Sequence, residues 1–140
     1  MKTPMRAALL LVLLSMVPGC RRPAVDSPEA TYRRFVTALQ RSDARTAWKL
    51  LTPATREKAT ALSKAISEAS RGVVRDEPEI LLFQSSRPPA VGEVTQVRAD
   101  ETTAVLKVAS AGGEREVKLV KDSGKWQIDL SDSIEGSDQP

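Results

Sequence analysis

Histidine and asparagine are absent from this 140-residue chain, and cysteine occurs only once. Without histidine the chain cannot form a Ser-His-Asp triad or a Cys-His pair, which excludes the hydrolases that depend on them. A histidine zinc site is excluded for the same reason, and one thiol cannot build a thiolate cluster or an internal disulfide. We therefore predict no metal, no cofactor and no catalytic residue.

A large excess of charge of either sign is also missing. The net charge is +3, but two of the 21 basic residues, Lys2 and Arg6, lie in residues 1–19, which contain no acids. The rest of the chain therefore carries 19 basic and 18 acidic residues, too even a balance for a broad basic surface. The sequence predicts no nucleic-acid partner, and its length is typical of one domain.

The N-terminus has the three parts of an export signal. Lys2 and Arg6 precede an unbroken apolar run over residues 7–14, which Met16 and Val17 extend. This run is shorter than the ~20 residues that a helix needs to span a bilayer. Its length suits the apolar region of a signal peptide, which we predict over residues 1–19.

Residues 17–20 (Val-Pro-Gly-Cys) resemble the lipobox of bacterial lipoproteins, with Pro18 where alanine or serine is usual. In that family the cysteine receives a diacylglyceryl group and the leader is cut before it. The resemblance implies a lipid on Cys20, a membrane partner and a place in the cell envelope. Arg21, which stands where inner-membrane retention typically uses Asp, favours the outer membrane. The alternative is an ordinary secretory signal with an incidental cysteine.

After a polar tether over residues 20–27, apolar residues recur at helical spacing. Each predicted helix starts at a capping residue, and two of the three caps precede a proline suited to the first helical turn. The predicted helices begin at Pro28, at Ala44 and at Pro53, and the third ends near Arg71. Residues 80–83 are apolar throughout, so periodicity leaves open whether they form a short helix or a buried strand.

Beyond residue 90 the apolar period changes to two, which is typical of a sheet covered on one face. Short gaps containing glycine or aspartate separate the candidate strands and predict hairpins. The predicted strands cover residues 91–99, 102–109, 114–121 and 125–130, and residues 131–140 are predicted to be a disordered tail. The fold class is therefore α+β, with N-terminal helices packed on one face of a curved four-stranded antiparallel meander.

Two segments carry a family resemblance. Ser27, Pro28, Tyr32 and Phe35, followed by residues 44–51 (ARTAWKLL), look like the opening helices of nuclear-transport-factor-like proteins. Residues 120–130 (VKDSGKWQIDL) resemble their last hairpin. In particular, the chain is similar to bacterial lipoproteins of unknown function that carry such a domain. The resemblance implies a cone-shaped domain over residues 28–130.

Enzymes of this superfamily place an aspartate, often with histidine or tyrosine, inside the cone. Here Asp129 alternates with Ile128 and Leu130, so we expect it to face outward. Five aromatic residues are candidates for the lining of a ligand pocket, although plain core packing is the alternative reading of each. They are Tyr32, Phe35, Trp48, Phe83 and Trp126.

The pattern as a whole favours a non-enzymatic, membrane-anchored envelope lipoprotein. Its domain would bind a small apolar ligand or a protein or peptide partner. Two other classes remain open: an enzyme acting on a small hydrophobic molecule, and a structural subunit of an envelope complex. A carboxyl group with a raised pKa inside a cavity would favour the enzyme.

Overall fold

The computed structural model of the protein describes residues 26–84 and 92–135. Within these ranges four helices precede a four-stranded antiparallel sheet of order β1-β2-β3-β4, and a fifth helix follows it. The predicted α+β class and strand order are confirmed. The elements are α1 Pro28–Gln40, α2 Ala44–Lys49, α3 Pro53–Ala69, α4 Pro78–Gln84, β1 Val94–Ala99, β2 Thr103–Ser110, β3 Gly113–Asp122, β4 Lys125–Asp129 and α5 Ser131–Glu135.

The first three helices begin where the sequence predicts, because each has a side chain that caps it. Ser27 Oγ accepts a hydrogen bond from the N–H of Ala30 at 3.1 Å, before α1. The Asp43 carboxylate does the same for α2, at 3.0 Å from the Thr46 nitrogen. Thr52 caps α3. Each cap satisfies one of the backbone donors that a helix leaves unpaired in its first turn.

Two short helices lie where the sequence was ambiguous or misleading. Residues 80–83 belong to α4, so the apolar run is helical and packs against α2 and α3 rather than pairing in the sheet. The prediction of a disordered tail is wrong for Ser131–Glu135, which form α5 against α3. Residues 136–140 lie outside the described residues, as do residues 1–25 with Cys20.

The core lies between α1 and one face of the sheet. Alternate residues of the strands are buried on that face, and Leu106, Leu119 and Ile128 have no exposed surface. The α1 stripe of Tyr32, Phe35 and Val36 is buried in the same cluster. The alternate residues of the strands and the helically spaced residues of α1 thus form one apolar layer. The remaining strand residues of this layer are Ala104, Val108, Val117 and Trp126.

Two hairpin turns are built from local polar chemistry. Ser123 and Gly124 both have positive φ, 50° and 79°, as the tight β3–β4 turn requires. At the β1–β2 turn, Asp100 accepts hydrogen bonds from the Thr103 hydroxyl and from the N–H groups of Thr102 and Thr103. These bonds lower the pKa of Asp100 to about 2, from the ordinary 3.8. The carboxylate is thus a fixed part of the turn.

The outer edge of β4 is covered by the segment that joins α2 to α3. The Ile128 N–H donates to the Leu50 carbonyl at 2.8 Å, and the Ile128 carbonyl accepts from the Thr52 N–H at 2.9 Å. Leu51 lies beside Ile128 in a parallel bridge. This pairing satisfies backbone groups that an open strand edge would expose, and it joins the helical half of the chain to the sheet.

A buried hydroxyl cluster continues this junction. Thr55, in the first turn of α3, is fully buried. Its Oγ1 accepts a hydrogen bond from the Leu130 N–H at 2.9 Å and lies 2.8 Å from the Thr52 hydroxyl. It also donates to the Asp129 carboxylate at 3.3 Å. Thr55 therefore connects the start of α3 to the end of β4.

We expect Thr55→Val to lower the free energy of unfolding by about 1–3 kcal/mol, because valine keeps the shape but leaves the part-buried Leu130 N–H unpaired. Thr60→Val is the matched control: Thr60 is exposed on the same helix and bonds only to the Arg56 carbonyl one turn back. It should change stability by no more than about 0.5 kcal/mol. Urea titration of both variants tests this, and equal losses would contradict it.

Candidate ligand cavity

A cavity of about 330 Å³ lies between α1, α4 and the end of the sheet where β4 stops. Its volume falls within the range of small-molecule sites, which also share its mostly apolar walls. Helices α1 and α4, strands β3 and β4 and the start of α5 all contribute to it. The lining consists of Tyr32, Phe35, Leu39, Leu82, Phe83, Arg115, Glu116, Val117, Ile128, Leu130 and Ser133.

The aromatic wall of the cavity comes from two helices. Tyr32, Phe35 and Leu39 follow one another at spacings of three and four residues, which puts them on one side of α1. Phe83 of α4 meets Phe35 edge to face, with ring centroids 5.9 Å apart. Such pairs add about 0.5–1.5 kcal/mol beyond the area they bury. This contact joins α4, which forms one side of the cavity, to α1.

Three of the five predicted pocket residues, Tyr32, Phe35 and Phe83, line this cavity, and the two tryptophans do not. Trp126 is buried in the core near the β3–β4 turn, with the Lys121 ammonium 5.6 Å from its ring centroid. Trp48 packs half-buried against the core. Trp126 and Ile128 are two residues apart on β4, so their side chains share a face of the sheet. They are also about 6.7 Å apart along the strand, and of the two only Ile128 reaches the cavity.

Arg115 is the cavity residue that sequence reasoning missed. It pairs with the fully buried Val108 across β2 and β3, and it alternates with Val117 and Leu119, so it occupies the core face of the sheet. That alternation was the available signal: a charged residue at a core-face position. The Arg115 guanidinium donates to the buried Tyr32 hydroxyl at 3.4 Å. Among the described residues, no carboxylate forms an ion pair with it.

Asp129 faces away from the core, as expected, but neighbouring helices cover it. Its side chain is on the outer face of the sheet, the face away from the Ile128 side chain. Lys118 is its cross-strand partner, and the Lys118 ammonium is 3.3 Å from the Asp129 carboxylate. Yet α3 and α5 cover it, and its side chain is only 11% exposed. Its Oδ1 accepts from the hydroxyl and the N–H of Ser131, at 2.6 and 3.1 Å, at the start of α5. The expectation of an outward face holds, and the packing of α3 and α5 keeps this side chain largely out of solvent.

The environment of Asp129 determines its chemistry. Burial alone would raise the pKa of this carboxyl, but the hydrogen bonds from Ser131 and the contact with Lys118 outweigh burial and lower the pKa below 3.8. An acid or base working in an apolar site needs the opposite shift. Asp129 is therefore a fixed anion that holds α5 and β4 together, outside the lining of the cavity.

The described part of the chain shows neither a metal-binding cluster nor a membrane-spanning helix. Residues 26–84 and 92–135 contain no group of three or more acidic, histidine or cysteine side chains placed to hold a metal ion. None of the helices in this part of the chain is both long enough and apolar enough to cross a membrane.

The lowered pKa of Asp129 predicts how stability depends on pH. Its carboxylate form stabilises the fold above about pH 4, and this contribution is lost as the pH falls through the folded pKa. Between pH 7 and pH 3, Asp129→Asn should therefore lose less stability than the unmodified chain, although it starts from a lower value. Asp132→Asn, at an exposed position on α5, is the control and should follow the unmodified chain. Parallel curves for all three proteins in urea titrations would contradict the assignment.

No protein-family model matches the chain, and no curated protein matches its sequence. A function for the protein is therefore inferred from the chemistry of its own residues.

Proposed function

We propose that this protein is a lipid-anchored lipoprotein of the cell envelope that binds a small apolar ligand without chemical catalysis. The observation that carries this proposal is the cavity of about 330 Å³ between α1, α4 and the sheet. Its walls are aliphatic and aromatic, with a few polar groups near one end, the usual composition of a small-molecule site.

The anchor rests on the sequence. A basic start, a short apolar run and the Val-Pro-Gly-Cys segment at residues 17–20 suit a lipoprotein leader. Each buried methylene of an acyl chain contributes about 0.8 kcal/mol to membrane binding, so two or more chains on Cys20 would anchor the protein stably. Residues 20–27 precede α1 and, fully extended, would span at most about 30 Å. The cavity would then work close to the membrane surface.

The order of elements supports a cone-shaped domain of the nuclear-transport-factor-like kind. Helix α1 packs on the sheet, and the helices come before a consecutive antiparallel meander. In such a domain the space between the helices and the sheet is the natural ligand site. This fold hosts both enzymes and binding modules, so the fold alone does not choose between them.

The polar groups around the cavity favour binding over catalysis. The chain has no histidine, and Asp129 is held outside the cavity by Ser131 and Lys118. Glu116 contributes a carboxylate to the lining. Its residue lies opposite Lys107 in the β2–β3 register, and its position alternates away from the core face of the sheet. A general base needs a carboxylate facing the cavity with a matched pKa, so a carrier or sensor is the better reading.

The anchor is tested by substitution of the cysteine. Cys20→Ala should abolish labelling with radioactive palmitate and move the protein from the membrane to the soluble fraction of its host. Arg21→Asp is the matched control: it leaves the thiol in place, so labelling should persist while the protein shifts towards the inner membrane. Full membrane retention of unlabelled Cys20→Ala would overturn the lipid anchor.

Ligand binding is tested by native mass spectrometry of the processed protein, released gently from the membranes of its host. We expect an added mass of a few hundred daltons. Ser133→Phe, which places a ring at the mouth of the cavity, should remove that mass. Asp132→Phe adds the same bulk at the neighbouring position of α5, outside the lining, and should retain it. A bare chain in every sample, or a copurifying protein in its place, would count against a small-molecule carrier.

A further inference from the structure

We propose that the cavity takes an amphiphile with a single carboxylate, whose tail fills the apolar part and whose head binds Arg115 and Tyr32. This inference rests on the proposed ligand-binding function and adds the chemical class of the ligand.

The first reason is the position of Arg115. Residue 115 belongs to the core face of β3, where its neighbours Val117 and Leu119 are buried and its cross-strand partner Val108 has no exposed surface. A charged side chain is costly at such a position unless it reaches water or a partner. Arg115 stands where the core face opens to solvent, so its guanidinium lies beside the mouth of an apolar cavity.

The second reason is the charge balance at the mouth. Among the described side chains of residues 26–84 and 92–134, no carboxylate forms an ion pair with Arg115, although Lys107 and Lys118 on the same sheet are both paired. Within this part of the chain its polar partner is the Tyr32 hydroxyl, an uncharged group. The positive charge is therefore free to meet an anion from a ligand.

The third reason is the set of donors that the pair presents. The Tyr32 oxygen accepts from Arg115 at 3.4 Å, so the hydroxyl proton remains available for donation. Among the described residues no group accepts that proton, and Tyr32 is only 2% exposed. A phenol O–H beside guanidinium N–H groups makes a compact row of donors. A carboxylate, with two oxygens that only accept, complements such a row.

The fourth reason is the rest of the lining. Beyond Arg115 and Tyr32 the cavity meets Phe35, Phe83, Leu82 and Ile128. These side chains offer a flexible alkyl chain a favourable transfer from water, which grows with each methylene that is buried. The volume of about 330 Å³ suits a chain of medium length. A short alkanoate therefore matches both ends of the cavity.

The size of the effect follows from the exposure of Arg115. A hydrogen-bonded contact with a charged group contributes enough to favour the carboxylate over a neutral analogue by about tenfold. Because the guanidinium lies at the solvent-exposed mouth, salt screens part of this preference. The advantage of the carboxylate should therefore shrink as the ionic strength rises, while the contribution of the tail stays constant.

The experiment compares octanoate with octan-1-ol, which share a tail length and differ in the head. Binding is measured by isothermal titration calorimetry on the full chain carrying Cys20→Ser, at low and at high salt. We expect octanoate to bind about tenfold more tightly at low salt. Arg115→Gln should weaken octanoate by about the same factor and leave octan-1-ol unchanged, whereas Arg115→Lys should retain part of the preference.

Two controls separate the head contact from a loss of fold. Arg98→Gln removes an exposed arginine of β1 that is absent from the cavity lining, and it should leave both ligands unaffected. Tyr32→Phe keeps the ring but removes the hydroxyl, and it should weaken octanoate selectively. All variants are compared by urea titration to verify that they remain folded.

The outcomes distinguish this inference from the function on which it rests. Equal binding of the two ligands, unaffected by Arg115→Gln, would overturn the carboxylate and leave a purely apolar carrier intact. Absence of binding by both ligands to the folded protein would also overturn it. The proposed function itself fails only if native mass spectrometry of the processed protein shows a bare chain as well.

Discussion

Strand β4 is paired along both of its edges around Ile128. On one side the strand pairs with β3, where Leu119 is the partner of Ile128, and on the other the Ile128 N–H and carbonyl bond to the segment between α2 and α3. The Ile128 side chain is fully buried and also contributes to the cavity. A shift of β4 by one residue would turn Ile128 and Trp126 outward, because strand side chains alternate between faces. This double pairing therefore fixes the sheet, the helical layer and the cavity together.

Two polar clusters lie near β4, and they differ in how completely their hydrogen-bonding groups are paired. At the start of α3 and α5, Thr55, Asp129 and Ser131 satisfy one another in a largely buried group, with Lys118 balancing the charge. Buried groups that are paired in this way rigidify a structure. At the cavity, Arg115 and Tyr32 share one long hydrogen bond, which leaves other N–H groups of Arg115 and the O–H of Tyr32 able to donate. The first cluster is complete within the chain, and the second has room for a ligand.

The aromatic residues are few, and the fold uses them for different purposes. Phe35 and Phe83 hold α1 and α4 in contact around the cavity, while Trp126 fills the core near the opposite end of β4. The cavity persists between these anchors because the walls come from five separate elements. Because the cavity opens to solvent beside Arg115, it does not carry the stability cost of an empty void sealed in an apolar core.

Local patterns in the sequence determined much of this architecture. Ser27, Asp43 and Thr52 mark the helix starts because a cap acts within three residues of itself, and period-two alternation identifies the buried strand face. The proposed leader and the proposed lipid on Cys20 likewise rest on the order of residues alone. These features share one property: their physical cause lies within a few residues along the chain.

Only the tertiary structure decided the rest. The helical state of α4 depends on its packing against α2 and α3, and α5 depends on Asp129, whose partner Thr55 is 74 residues away. Which aromatic residues reach the cavity depends on their position along an element, not only on the face they share. Arg115 and Tyr32 meet across 83 residues of sequence. Periodicity specifies a direction for each side chain, and the contacts between distant elements specify what that side chain meets.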